Sequence, residues 1–343
     1  MTLTNAAAIA PGVRTMLEVN MGWGPRERLL VVTDLPRLED WEQEPVPTLE
    51  AMLARALLAR QVAEVARSLH PDRPVEFAAY PATGSHGAEP PPDLAARLLQ
   101  ADVVIALTTY SLSHTDAREA ATRAGVRLAS MPGFLAEMFY PDGPMAVDYR
   151  QVAADAEAFA RMLTEAREAQ VRSSAGTNIR LRLEGRAGMA DTGLYIRKGA
   201  WGNLPAGEAY IAPVEGTAEG VLVVQAGWHP GVTEDIRLVF RRGEVVEVVG
   251  GGAAGDRLRQ FLRPGDSSMP YAARRNLAEL GIGVNPNARR PDNVLEAEKI
   301  RGTVHLALGD NAHMGGTVAA DFHEDFVVPQ AELVLDGKVI PLR

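Results

Sequence analysis

The period of the hydrophobic pattern changes near Val171, and a chain with such a change must join two kinds of architecture. Before it, continuous apolar runs alternate with helical stretches. Arg28-Leu29-Leu30-Val31-Val32-Thr33-Asp34 and Asp102-Val103-Val104-Ile105-Ala106-Leu107 show no polar face. Runs of this kind suit strands buried on both faces of a parallel sheet. Shorter strand candidates lie at 75–80 and 126–129, and helices are predicted over 48–69, 91–100, 116–124 and 149–170. Repeated βα units predict an α/β, doubly wound open sheet. After Val171 strict alternation takes over, as in Ile179-Arg180-Leu181-Arg182-Leu183. Strands are predicted at 208–215 and 219–225. One hairpin turns at Arg242-Gly243, and a second at Asp336-Gly337, a favoured type I′ pair. The expected domains are an α/β open sheet over 1–170 and a β-rich metal-binding, catalytic domain over 171–343. A chain of 343 residues is long enough for both.

Charge and composition remove several functions. Lys and Arg number 35 against 44 Asp and Glu, a net charge of −9, whereas nucleic-acid binders carry a basic footprint. No stretch approaches the roughly 20 apolar residues of a membrane span, and residues 1–12 lack the basic start of a secretory signal. A cytoplasmic protein is expected. Cysteine is absent, so a metal site must be built from His, Asp and Glu. Gly250-Gly251-Gly252-Ala253-Ala254-Gly255 matches a dinucleotide-binding pattern literally. It follows a hairpin strand and no second parallel strand comes after it, so it reads as a loop.

Chemistry-bearing residues concentrate towards the C-terminus. His305, His313 and His323 are three of the seven histidines. On a strand His305 points opposite to Val304, Leu306 and Leu308. In His323-Glu324-Asp325 the first and third residues project together and Glu324 away. Imidazole and carboxylate at that spacing can ligate a divalent metal. Glu279 interrupts the apolar run Leu277 to Gly283, and Glu208 opens an apolar strand. A charge in such surroundings is costly unless paired or bound to metal. Taken singly, His305 also fits a hydrogen-bonded core histidine, His323 and Asp325 an exposed strand, and Glu279 a partner for Arg274 or Arg275.

Together these blocks resemble the thermophilic-type metallo-aminopeptidase family, the aminopeptidases T and S. The matching pieces are Asn203-Leu204-Pro205-Ala206-Gly207-Glu208, Glu279-Leu280-Gly281-Ile282-Gly283, Gly302-Thr303-Val304-His305-Leu306-Ala307-Leu308-Gly309 and His323-Glu324-Asp325-Phe326. The resemblance implies a site for two divalent ions (Zn, Co or Mn) held by Glu208, Glu279, His305, His323 and Asp325, with Glu279 as bridge. It also implies a homodimer that removes N-terminal residues from small peptides with metal-activated water. The family's tyrosine falls on Ala312, with His313 beside it.

A sister resemblance is to the 2,5-dihydroxypyridine dioxygenases, which use one non-haem iron(II). It rests on residues 281–286, 302–316 and His323-Glu324-Asp325, and on Tyr110-Ser111-Leu112-Ser113-His114, which is similar to the loop carrying their proposed base. Their metal-binding histidine falls on Glu279, and they are apolar at Glu208 and His305. With five ligands retained, the hydrolase is the first expectation, with Glu279, His114 and His313 as catalytic residues. The alternative is an iron(II) ring-cleaving dioxygenase for a hydroxylated pyridine-like substrate. A third is a non-catalytic binding protein that keeps only the fold.

Overall fold

The structure is a computed structural model and describes residues 5–342. The chain divides into two compact units. One contains the chain up to Arg150 together with Gly193–Ala206; the other contains Gln151–Thr192 and Gly207–Arg343. The division falls before the body of the helix Tyr149–Glu165, at Arg150 rather than at 170.

The first unit is a parallel sheet flanked by helices. Its strand order is Val75–Pro81, Leu29–Leu35, Val103–Ala106, Arg127–Ser130 and Trp201–Asn203. Val103 to Ala106 are all buried, as are Leu29 to Asp34, which is why these strands read as unbroken apolar runs. Strand order reverses direction between Leu29–Leu35 and Val103–Ala106, and the carboxyl ends of such strands are where open α/β sheets place functional loops. Asp34 holds the loop there by accepting hydrogen bonds from the backbone N–H of Thr109 at 2.7 Å and Tyr110 at 3.1 Å.

The second unit contains two antiparallel sheets. The larger runs Glu244–Gly250, Ile236–Arg241, Glu219–Val224, Asn178–Arg182, Glu168–Arg172, Glu332–Leu335 and Lys338–Ile340. Arg242 and Gly243, and Asp336 and Gly337, take positive φ at the two hairpin turns, as type I′ geometry requires. The helix expected to reach residue 170 stops at Glu165, because Glu168–Arg172 is drawn into this sheet between two neighbours. The strand before the Gly-rich stretch at 250–255 is the second arm of an antiparallel hairpin, so that stretch lies in no βαβ unit.

The smaller sheet carries the chemistry. Its order is His323–Val328, Val304–Gly309, Leu277–Gly283, Glu208–Ile211 and Met189–Asp191. One face packs Leu280 against its register partners Leu306 and Ile211, with Phe326 beyond Leu306, all buried. Among the described residues no helix is long and apolar enough to cross a membrane.

Leu280 sits at the centre of that apolar face at 0% exposure, so Leu280→Ala should destabilise the fold by about 2–5 kcal/mol. Denaturant unfolding checks this. A loss below about 0.5 kcal/mol, the range of surface changes, would contradict its placement in the core.

Candidate metal centre

The other face of the smaller sheet is set by register. Residues directly opposite in an antiparallel pair project to the same side. Asp191 opposes Glu208, and Glu208 opposes Gly283. Gly281 opposes His305, Glu279 opposes Ala307, Ala307 opposes Asp325, and Gly309 opposes His323. All five ligand candidates therefore share one face, interleaved with glycine and alanine. Those small residues make the room: a Cβ on Gly281 would overlap the His305 imidazole. A register shift between Leu277 and Glu279 marks a bulge. It leaves Leu277 opposite Leu308 while Glu279 joins the ligand face, the re-aiming that bulges accomplish.

Glu279 is the hub. Its Oε1 lies 3.1 Å from His305 Nε2 and its Oε2 3.3 Å from His323 Nε2. His305 Nε2 also lies 3.3 Å from Glu208 Oε2 and 4.0 Å from Asp325 Oδ1, and His323 Nε2 lies 3.8 Å from Asp325 Oδ1. Two overlapping donor triads result, Glu208–Glu279–His305 and Glu279–His323–Asp325. Glu279 pairs with neither nearby arginine: Arg274 binds Asp321 and Arg275 binds Glu244. Glu324 projects to the opposite face, where it meets His229 Nε2 at 2.9 Å.

Burial and charge oppose each other throughout this cluster. Burial alone would raise the Glu279 carboxyl, but hydrogen bonds from His305 and His323 hold it well below the usual carboxylate range. Burial opposes charging of the two imidazoles, but Glu279 and the neighbouring carboxylates lift His305 to about 9 and His323 to about 10. Burial pushes Glu208 up to about 8 against the pull of Lys299. Burial and the charges of Glu298 and Glu279 push Asp325 well above its ordinary value. Asp325 Oδ1 and Glu208 Oε2 are buried with no hydrogen-bond donor. Such orphaned oxygens, converging with imidazole nitrogens, fit a cation.

Residues that sequence reasoning missed complete the picture. Lys299, Glu298 and Asp191 form a buried ion cluster against Glu208. Glu298-Lys299 beside a short helix reads like any solvated charge pair, so only the fold reveals it. Tyr210 shares the ligand face through its register with Gly281. His313 lies on the exposed side, 5.7 Å from the His323 ring, with Nδ1 2.6 Å from Asp310 Oδ2. His114 belongs to the first unit, where it is exposed in the loop after Val103–Ala106. The residue capping the next helix is Thr115, whose hydroxyl accepts from Arg118 N–H.

Residues 38–342 match the family model NicX, 2,5-dihydroxypyridine 5,6-dioxygenase. The 2,5-dihydroxypyridine 5,6-dioxygenase of Pseudomonas putida KT2440 is 27% identical over 259 residues, 71% of this chain and 70% of that protein. The solved structure of 2,5-dihydroxypyridine dioxygenase from P. putida KT2440 superposes with a TM-score of 0.72 at 19% identity, covering 99% of this chain and 96% of that one. Wild-type AmpT from Thermus thermophilus superposes with a TM-score of 0.61 at 15% identity, covering 98% of each chain. Both share the arrangement of a parallel-sheet α/β part followed by an antiparallel β-rich part.

These matches correct the first functional expectation. The family model and the curated relative name a dioxygenase, which overturns the metallo-aminopeptidase, hydrolase and metalloprotease reading. The chemistry agrees, since the position of the aminopeptidase tyrosine is Ala312, in a short 3-10 turn, with no phenol to offer. The donor set supports a metal site built on two overlapping triads, and the two-ion expectation finds no support in the family match, which points to a dioxygenase.

The cluster predicts a pH effect with a definite sign. The two imidazoles titrate above their usual 6.5 in the folded chain, so their contribution is complete below about 6.5 and lost as pH rises through about 9 and 10. Glu208, raised to about 8, acts in the same direction, with its contribution lost as pH rises from its usual 4.5 through about 8. Thermal melts of metal-free protein should therefore show a falling Tm between pH 7 and 10, and Co²⁺ should flatten that slope by replacing protons. A metal-free Tm that stays level across this range would contradict the cluster.

Proposed function

The chain belongs to the 2,5-dihydroxypyridine 5,6-dioxygenase family, and on that premise we propose that it is a mononuclear non-haem iron(II) dioxygenase opening the ring of a hydroxylated pyridine-like substrate. The observation that carries the site is the triad Glu279–His323–Asp325, whose Asp325 Oδ1 is buried without a donor. Oxygen and imidazole ligands without thiolate suit iron(II). The set departs from two histidines and one carboxylate, since Glu279 stands where the family resemblance expects a histidine. An anionic oxygen replaces a neutral nitrogen there.

Iron(II), when bound, supplies the one-electron chemistry that lets dioxygen react with an aromatic ring. The protein's own residues prepare the site. Asp310 carbonyl oxygen accepts from His323 Nδ1 at 2.8 Å. A carbonyl can only accept, so Nδ1 carries a proton, and loss of the Nε2 proton to an incoming ion would leave Nε2 as the ligand atom on this face. Glu279 anchors both imidazoles from one carboxylate. His305, fully buried, fixes the Glu279 Oε1 side. We propose that His313, 5.7 Å from the His323 ring and 2.6 Å from Asp310 Oδ2, takes or gives a proton. On the family resemblance alone, His114, on the loop similar to the one carrying the family's base, is the residue we propose as proton acceptor. Asp34, together with Arg55 and His86, ties down the preceding residues 109–111.

The test is dioxygen uptake by iron-loaded protein given 2,5-dihydroxypyridine, with iron measured per chain. Asp325→Asn should lose both iron and activity, while Glu324→Ala on the opposite face should keep both. His114→Ala should keep its iron and lose about 10²–10⁴-fold in kcat, the usual worth of a general base. Equal iron loss in the Asp325 and Glu324 variants would contradict the sheet geometry, and an unchanged kcat in His114→Ala would remove its proposed role.

A further inference from the structure

A lysine occupies the carboxylate end of the ligand face. Lys299 Nζ lies 2.5 Å from Glu208 Oε1, 2.6 Å from Glu298 Oε1 and 3.7 Å from Asp191 Oδ2, with its side chain 2% exposed. An ammonium has three N–H donors, and three carboxylates surround this one. The backbone fixes its position. Lys299 N–H donates to Glu296 carbonyl, and the Lys299 carbonyl accepts from Asn285 N–H. Gly283 permits the approach, because a Cβ there would meet the Glu298 and Ile300 carbonyl oxygens.

Glu208 is therefore shared. One oxygen is taken by Lys299, and the other, without a donor of its own, faces His305 at 3.3 Å. A divalent ion in the Glu208–Glu279–His305 triad would bind a carboxylate whose other oxygen already holds an ammonium at 2.5 Å. Like charges repel strongly where water is excluded. The Glu279–His323–Asp325 triad contains no resident cation of this kind.

We propose that Lys299 is a built-in second cation that closes the Glu208–Glu279–His305 corner to metal, so that the cleft binds a single ion at Glu279–His323–Asp325. This rests on the iron reading for the identity of the ion, and on Lys299 for the count.

The probe is Co²⁺ titrated into metal-free protein, followed by its visible absorption and by metal analysis. Wild type should bind one equivalent. Lys299→Met, which frees Glu208, Glu298 and Asp191, should bind two. Glu208→Gln in the presence of Lys299 should change Co²⁺ affinity less than about threefold, whereas Asp325→Asn should lose at least the roughly 10–100-fold that even an outer-shell partner is worth. Two equivalents in wild type, or one in a folded Lys299→Met, overturns the proposal. Should Lys299→Met not fold, Glu208→Gln decides, and a loss as large as that of Asp325→Asn overturns it. Protein that binds one Co²⁺ as described, yet takes up no dioxygen when loaded with iron, supports the role of Lys299 and refutes the dioxygenase reading instead.

Discussion

A carboxylate at the centre of a buried sheet needs positive charge beside it, and the second unit is organised around meeting that need at Glu279. The side chain is 6% exposed and contacts two imidazoles, one on each oxygen. Without them the cost of burying an unpaired charge would be several kcal/mol. The bulge at Leu277–Glu279 turns the carboxylate to this face; His305 reaches it from the adjacent strand and His323 from the strand beyond that. Gly281 gives up its side chain so that His305 can approach. Removing the hub would leave two imidazoles and two further carboxylates without a common centre.

The same arrangement explains why the face suits chemistry rather than stability. Its polar groups are crowded, their protonation is displaced in opposite directions, and two buried oxygens have no donor. Clusters of this kind mark functional sites more often than structural ones. The opposite face of the sheet is ordinary packing of Leu280, Ile282, Leu306 and Phe326. One sheet thus divides its labour by the period of two: every second residue maintains the fold, and those between them carry the polar groups able to hold an ion.

Much of this is legible in the sequence. Unbroken apolar runs announced the parallel strands, and alternation announced the antiparallel ones. His323 and Asp325, two apart on a strand, and Glu279 inside an apolar run were visible as misplaced polarity. What escaped was long-range. Glu168–Arg172 carries helix-forming residues, yet two sheet neighbours override that preference. Lys299 belongs to a short charged segment whose burial depends on Gly283 in a different strand, so no local pattern could signal it. Five ligand-type residues at positions matching the aminopeptidases favour a two-metal hydrolase, because the cation at the Glu208 end cannot be read from spacing. Family membership then selected the dioxygenase.

The proposed function requires that this face activate dioxygen and not water. The most direct measurement supplies ¹⁸O₂ to iron(II)-loaded protein with 2,5-dihydroxypyridine and weighs the ring-opened product by mass spectrometry. Two ¹⁸O atoms per product molecule are the expected result. Product formed without ¹⁸O, or no consumption of dioxygen by iron-replete protein, would contradict it.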